Sequence, residues 1–160
     1  MGYRMTTLAE RQQGEIVRRL GLMTVANGYL TDIGYSVHVE RMEFDENDLM
    51  PIINVMMSAE ESTETTGKRI NIARTFRIEV WRNSDLVSLI AHLQQVKRAV
   101  MRNDARWSDS FADSTGQLGL LAYTGSESMQ QESAGKTISG VTALFRVTCA
   151  EKVGDPSSTG

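Results

Sequence analysis

Four stretches hold residue types that could do chemistry. "ESAGKT", Glu132 to Thr137, ends like a phosphate-binding loop, in which backbone N–H groups cradle phosphates and a lysine reaches them. Such a loop needs a glycine five positions before Gly135, and Gln130 stands there, so the Walker reading fails. Ser133 and Lys136 have the spacing of an acyl-enzyme serine and its lysine, but they fall in a polar stretch with no "KTG" or "SDN" to support them. His38 falls at an outward position of an alternating strand and His92 off the apolar stripe of a helix. Neither has a metal-like or triad-like neighbour at a useful spacing, and both read as surface residues. Glu60 and Glu61 could act as acid and base, yet adjacent carboxylates in a Ser/Thr-rich segment read as solvated. The lone Cys149 excludes an internal disulfide and a cysteine-rich zinc site, and its place in "VTALFRVTCA" reads as a buried apolar thiol rather than a nucleophile. The expectation is a protein that is not an enzyme, with no catalytic residue, no cofactor and no metal.

The elements that would position such residues are easier to read. At 160 residues, with 41% hydrophobic residues and two prolines, the chain suits one domain with a real core. Its 17 Lys and Arg against 20 Asp and Glu give a net charge of −3, which argues against a general binder of nucleic acid or anionic membrane. No apolar run reaches membrane-span length and no hydrophobic leader opens the chain, so a soluble protein made in the cytoplasm is expected. Gly2 with Thr6 matches the loose myristoylation pattern, a short match that reads as coincidence with no second anchor following.

Thr7 and Glu10 have capping-box spacing, and Leu8, Ile16, Val17, Leu20 and Met23 or Thr24 recur on one helical stripe as far as the stop at Asn27-Gly28. Val37 and Val39 alternate with His38 and Glu40, the pattern of a strand with one inward face. "IINVMMSA" reads as a second strand. In the third, "RINIARTFRIEVWRN", Ile70, Ile72, Phe76, Ile78 and Val80 share a face that Arg74 interrupts. Asn83 or Ser84 can cap a helix carrying Leu86, Leu89, Ile90, Leu93, Val96 and Val100. "QLGLLAY" and "ISGVTALFRVTCAEKV" follow as strands, the latter with Val141, Ala143, Phe145, Val147 and Cys149 inward. The predicted fold class is α+β: a mainly antiparallel sheet of about five strands with two helices packed on one face. Residues 1–153 form the domain and residues 154–160 a flexible tail.

Two polar segments, "SAEESTETTGK" and "TGSESMQQESAGKT", are too long for simple turns and read as arms or binding loops. The first holds Glu60, Glu61 and Glu64 with no positive residue until Lys68, so its tip is expected to present negative potential.

The helix ending in "ANGYLTDIG", the strand "YSVHVERMEF", the proline-led "MPIINV", the extended "FRIEVWRN" and the helix "LIAHLQQVKRAVM" follow one another in an order and spacing that resemble the tail terminator, or tail completion, proteins of long-tailed bacteriophages. The resemblance covers roughly Leu8 to Lys152. It implies a structural virion protein: a homo-hexameric ring that caps the tail tube protein and meets the head-tail connector or neck protein, with DNA passing through unbound. Such a family has no catalytic residues to carry over. Under it, Glu60, Glu61, Glu64 and Lys68 are the expected channel or assembly loop, with the channel preferred, and His38, Glu40 and Arg77 the expected subunit contacts. A neck or head-closure subunit, or a small-ligand enzyme or regulatory domain on the same kind of body, are the competing expectations.

Overall fold

The computed structural model describes residues 6–43, 51–82, 86–101, 110–133, 136–152 and 154–159. Helix α1 spans Leu8–Gly21 and begins as expected: the Thr7 hydroxyl accepts the Glu10 N–H at 3.2 Å while the Glu10 carboxylate returns to the Thr7 N–H. It ends a full turn and more before Asn27-Gly28. Beyond Gly21 the chain makes two 3₁₀ turns, Val25–Asn27 and Ile33–Ser36. Thr24 and Val25 are poor helix formers, and the Asp32 carboxylate accepts the Val25 N–H at 2.8 Å, which favours the turn over a longer helix. Gly28 still supplies the left-handed stop, at φ 84°, but for the turn. Gly34 donates to the Met23 carbonyl at 2.9 Å, and a Cβ there would sit 2.8 Å from the Leu20 and Gly21 carbonyl oxygens, so the chain passes too close to α1 for any side chain.

The strands are β1 (Val37–Val39), β2 (Ile52–Thr66), β3 (Arg69–Arg82), β4 (Ser110–Asp113), β5 (Gly116–Ser133), β6 (Lys136–Lys152) and β7 (Asp155–Thr159), with helix α2 (Leu86–Met101) between β3 and β4. The sheet order is β1-β2-β3-β6-β5-β4, and β7 adds to β6. All pairs are antiparallel except β1 with β2, so the sheet is mixed. The α+β class stands. Among the described residues there are seven strands where about five were expected, and the first pair is parallel.

Both helices pack on one sheet face. The core joins Leu8, Ile16 and Leu20 of α1 and Leu89, Leu93, Val96 and Val100 of α2 to Phe76, Ile78 and Val80 of β3 and Val141, Ala143, Phe145 and Val147 of β6. The inward residues of β3 and β6 stand directly opposite one another, Phe76 on Phe145 and Ile78 on Ala143, so one period-two pattern builds a continuous apolar floor. The α2 stripe runs through Leu89, His92, Leu93, Val96, Ala99 and Val100. Ile90, expected on it, is 50% exposed, while His92, expected outside, is 3% exposed. At 3.6 residues per turn, position 92 falls about 40° from the centre of this stripe and position 90 about 120° from it. The capping residues proposed for α2, Asn83 and Ser84, lie outside the described residues.

Two further expectations are corrected. The polar stretches 58–66 and 124–133 are not loops but the continuations of β2 and β5. Neither shows a hydrophobic period, because these strand extensions carry mostly polar side chains; their pairing comes from cross-strand hydrogen bonds. The tail is not free either: Asp155–Thr159 is strand β7, with Glu151 opposite Thr159 and Lys152 opposite Asp155. β5 begins pairing with β6 at Thr148, so the last residues of β6 have an open side that β7 fills.

Candidate assembly surfaces

The pairing registers place the two long hairpins at opposite ends of the sheet. The β2–β3 turn, at Gly67 and Lys68, adjoins the end where Arg69 faces Lys152; the β5–β6 turn, after Ser133, lies beyond the end where Arg82 faces Ser139. One arm therefore points each way along the strand axis.

The first arm is held by a buried arginine. Arg74, on the inward face of β3 and 3% exposed, donates through Nε to Glu60 at 2.6 Å, through Nη1 to the Gln12 side-chain oxygen at 3.0 Å and through Nη2 to Glu151. Gln12, itself buried on α1, donates on to the Leu118 carbonyl at 2.7 Å and to Cys149 Sγ at 3.4 Å. Four elements, α1, β2, β3 and β6, thus meet on one guanidinium, and Gln12 links it to β5. Burial works against its charge, but the hydrogen bonds and charges of Glu151 and Glu60 outweigh that and raise its pKa. Burial pushes the Cys149 thiol up, which holds it as an inert thiol rather than a thiolate. Each of the three Arg74 nitrogens donates to a partner within the protein. The cluster is a lock.

The expected acidic tip is corrected by the same geometry. Glu60 is paired with Arg74, and Glu61 on the opposite sheet face is paired with Arg146 at 2.9 Å. Glu64 accepts from the Thr66 hydroxyl, at 3.2 Å, and Lys68 and Arg69 sit at the turn beside it, both exposed. Two of the three carboxylates are matched by arginines distant in sequence, so the arm is close to neutral.

The expected subunit contacts are engaged within the chain. Glu40 adopts a left-handed φ of 53° at the end of β1; its N–H donates to the Val55 carbonyl at 3.0 Å, and its carboxylate accepts the Met57 N–H and the Gln13 amide, both at 2.8 Å. It extends the β1 edge by a side chain. Arg77 is half-buried and donates to Glu79 at 3.0 Å; Glu79 also accepts from the Asn54 amide at 3.0 Å. His38 is half-buried on β1.

At the other helix, Arg82 Nη1 lies 2.9 Å from His92 Nε2. Burial, and then the Arg82 charge, lower the His92 pKa, so this imidazole is neutral and accepts from the guanidinium. A groove of about 450 Å³ opens near the start of α2, lined by Leu89, Ser128, Met129, Gln130, Ser139 and Gly140. Among the described residues no three His, Cys, Asp or Glu side chains gather as a metal site, and no helix is long and apolar enough to cross a membrane.

No protein-family model and no curated protein matches this chain. The site must therefore be read from its own geometry. Ser133 and Lys136 face one another as the last pair of the β5–β6 hairpin, far from Arg74 and Cys149 on the register of the sheet. What sequence reasoning missed was the Arg74 lock. The signal was present, a lone arginine on an apolar strand face, but its partners come from α1, β2 and β6.

Proposed function

We propose that this chain is a structural virion subunit of the tail terminator kind, which assembles as a six-membered ring on the end of a tail tube. One face of the ring would meet the tail tube protein and the other the head-tail connector or neck protein. The supporting observation is the pair of hairpin arms at opposite ends of one rigid sheet. A ring subunit that must touch a different partner above and below needs contact elements pointing both ways along the axis. A neck or head-closure subunit has the same need, and the same observation supports it as a second reading.

In this proposal DNA passes through the ring without specific binding, and the protein is made in the host cytoplasm before joining the virion. The arm at Glu60, Glu61, Glu64 and Lys68 suits an assembly contact better than a charge-repelling channel lining, because its glutamates are largely matched by arginines. A carboxylate already paired with a guanidinium does little to repel phosphate.

A reconstruction of the particle that carries this protein tests the reading. Six copies in a ring at the end of the tail tube are expected; a three- or twelve-fold arrangement, or a place away from that junction, overturns it.

A further inference from the structure

Between α1 and β1, residues 22–36 form a knob whose backbone is fixed and whose outer apolar side chains are uncovered. The Thr24 carbonyl accepts the Asn27 and Tyr29 N–H groups at 3.0 and 3.1 Å, the Val25 carbonyl accepts the Gly28 N–H at 3.0 Å, and Arg98 donates to the Gly28 carbonyl at 3.1 Å. Tyr29 and Ile33 are buried in the core and anchor the segment. Leu22, Val25, Leu30 and Tyr35 stay exposed, Tyr35 at 79%. One exposed leucine is ordinary, but four large apolar side chains on a single hydrogen-bonded segment mark a surface that meets a partner. A backbone already fixed loses little further freedom on binding.

We propose that this knob docks, with Tyr35 as its anchor, into the groove at Leu89, Met129 and Gly140 of the next copy of the chain. This inference rests on the ring assembly proposed above. The groove, about 450 Å³, suits an aromatic ring: Leu89 and Met129 offer apolar walls, while Ser128, Gln130 and Ser139 offer hydrogen-bonding groups for a phenol hydroxyl. Met129 is held in place, its sulfur accepting from the Thr142 hydroxyl at 2.6 Å and from Arg77 at 2.8 Å, so the wall is preformed. A thioether beside an aromatic ring is a favourable contact.

Position supports a second copy as the occupant. The knob leads into β1, whose first residue, Val37, is joined through Ile53 and Val80 to Val141, and the groove residues Ser139 and Gly140 adjoin Val141. Knob and groove therefore lie at the same end of the sheet. In the strand order β2 and β3 stand between them, and the exposure of Tyr35 shows that it does not fill the groove of its own chain. A head-to-tail contact needs two such different patches on each subunit, and a rotation that closes satisfies both on every copy.

Charge agrees. Asp32 is exposed on the knob, and its carbonyl accepts the Tyr35 N–H at 3.1 Å, so acid and anchor share one turn. Beside the groove, Arg82 stands directly across from Ser139; its Nη1 is taken by His92, and among the described residues it has no carboxylate partner. Seating Tyr35 in the groove brings the Asp32 carboxylate toward this guanidinium. Knob against knob would instead set two Asp32 carboxylates together and leave both grooves empty.

Native mass spectrometry of the purified chain at high concentration tests this, with six-membered rings expected from the parent. Tyr35→Ala removes the anchor and Ser128→Trp blocks the groove, with Gln130→Trp as a second blocking variant. All three positions are exposed, and unfolding midpoints matching the parent are expected. Each variant alone is expected to associate at least about tenfold more weakly. A mixture of Tyr35→Ala and Ser128→Trp retains one usable knob and one usable groove, so heterodimers and nothing larger are expected from it. A parent that stays monomeric by mass, a mixture without heterodimers, or a blocked-groove variant that still pairs with itself overturns the docking. Rings that all three variants leave intact sink the docking and keep the ring, whereas heterodimers from the mixture beside open filaments of the parent sink the ring and keep the docking.

Discussion

Arg74 shows how one side chain can secure several elements. Its guanidinium is buried, and Glu151 beside it is buried too, so Arg74→Leu strands a carboxylate in the interior and is expected to cost about 3–5 kcal/mol in denaturant unfolding. Arg74→Leu together with Glu151→Leu is expected to recover much of that loss, because the desolvated charge disappears with its partner. Equal losses for single and double variants would show that packing, not charge, sets the cost. His92 gives a pH dependence of definite sign. Its folded pKa lies below the ordinary 6.5, so the unfolded chain binds the proton more readily. Its contribution is complete above that value and fades as the pH falls below it. Asp113 and Glu15 act in the same direction at lower pH: a hydrogen bond from Arg11 lowers Asp113, and Arg18 and Arg19 lower Glu15 against the effect of burial. Thermal melts from pH 8 to pH 5 are expected to show a falling midpoint, and His92→Gln to flatten the upper part of that fall.

At the scale of elements, α2 belongs to folding. Leu93 is buried against the sheet, and Leu93→Ala is expected to cost about 2–5 kcal/mol, whereas Ile90→Ala, at a half-exposed position, is expected to cost far less. Lys97 sits 4.9 Å from the Tyr123 ring, so Lys97→Ala is expected to lose about 0.5–1 kcal/mol by the same measurement. Equal, small losses for Leu93 and Ile90 would mean that the helix is turned otherwise on the sheet. β7 makes few ladder pairs, and Arg11 ties it to the body by donating to the Ser157 carbonyl at 3.4 Å while holding Asp113 bidentately. Truncation after Val153 is expected to leave a folded protein with about 1 kcal/mol less stability, the worth of a few exposed hydrogen bonds.

The whole molecule is a rigid α+β body with two polar arms, and the arms can be altered without touching the core. Glu61 and Glu64 lie on the helix-free face, away from Arg74, so Glu61→Lys with Glu64→Lys is expected to fold normally. Adding Glu60→Lys is expected to lower the unfolding midpoint, because it sets a second cation against the buried guanidinium. If the arm is an assembly contact, the Glu61 and Glu64 pair of changes alters ring formation or particle yield. Normal assembly with slowed DNA delivery would restore the channel role.

The sequence by itself determined what depends on neighbours within a turn of helix or along one strand. The Thr7 and Glu10 cap, the inward faces of β3 and β6, and Leu89, Leu93, Val96 and Val100 of the α2 stripe follow from local spacing, whereas Ile90 and His92 exchange the places expected of them. Arg74 was legible as an interruption of its strand face, though not as a lock. Only the tertiary structure decided which long-range partners answer the polar residues. Residues 58–66 and 124–133 have polar faces on both sides and so no hydrophobic period, yet they are strands because β3 and β6 offer them backbone partners. β7 exists because β5 leaves the end of β6 uncovered. The charges of Glu60 and Glu61 look unopposed along the chain and are opposed in space by Arg74 and Arg146, since pleated strands bring together residues that the chain keeps far apart.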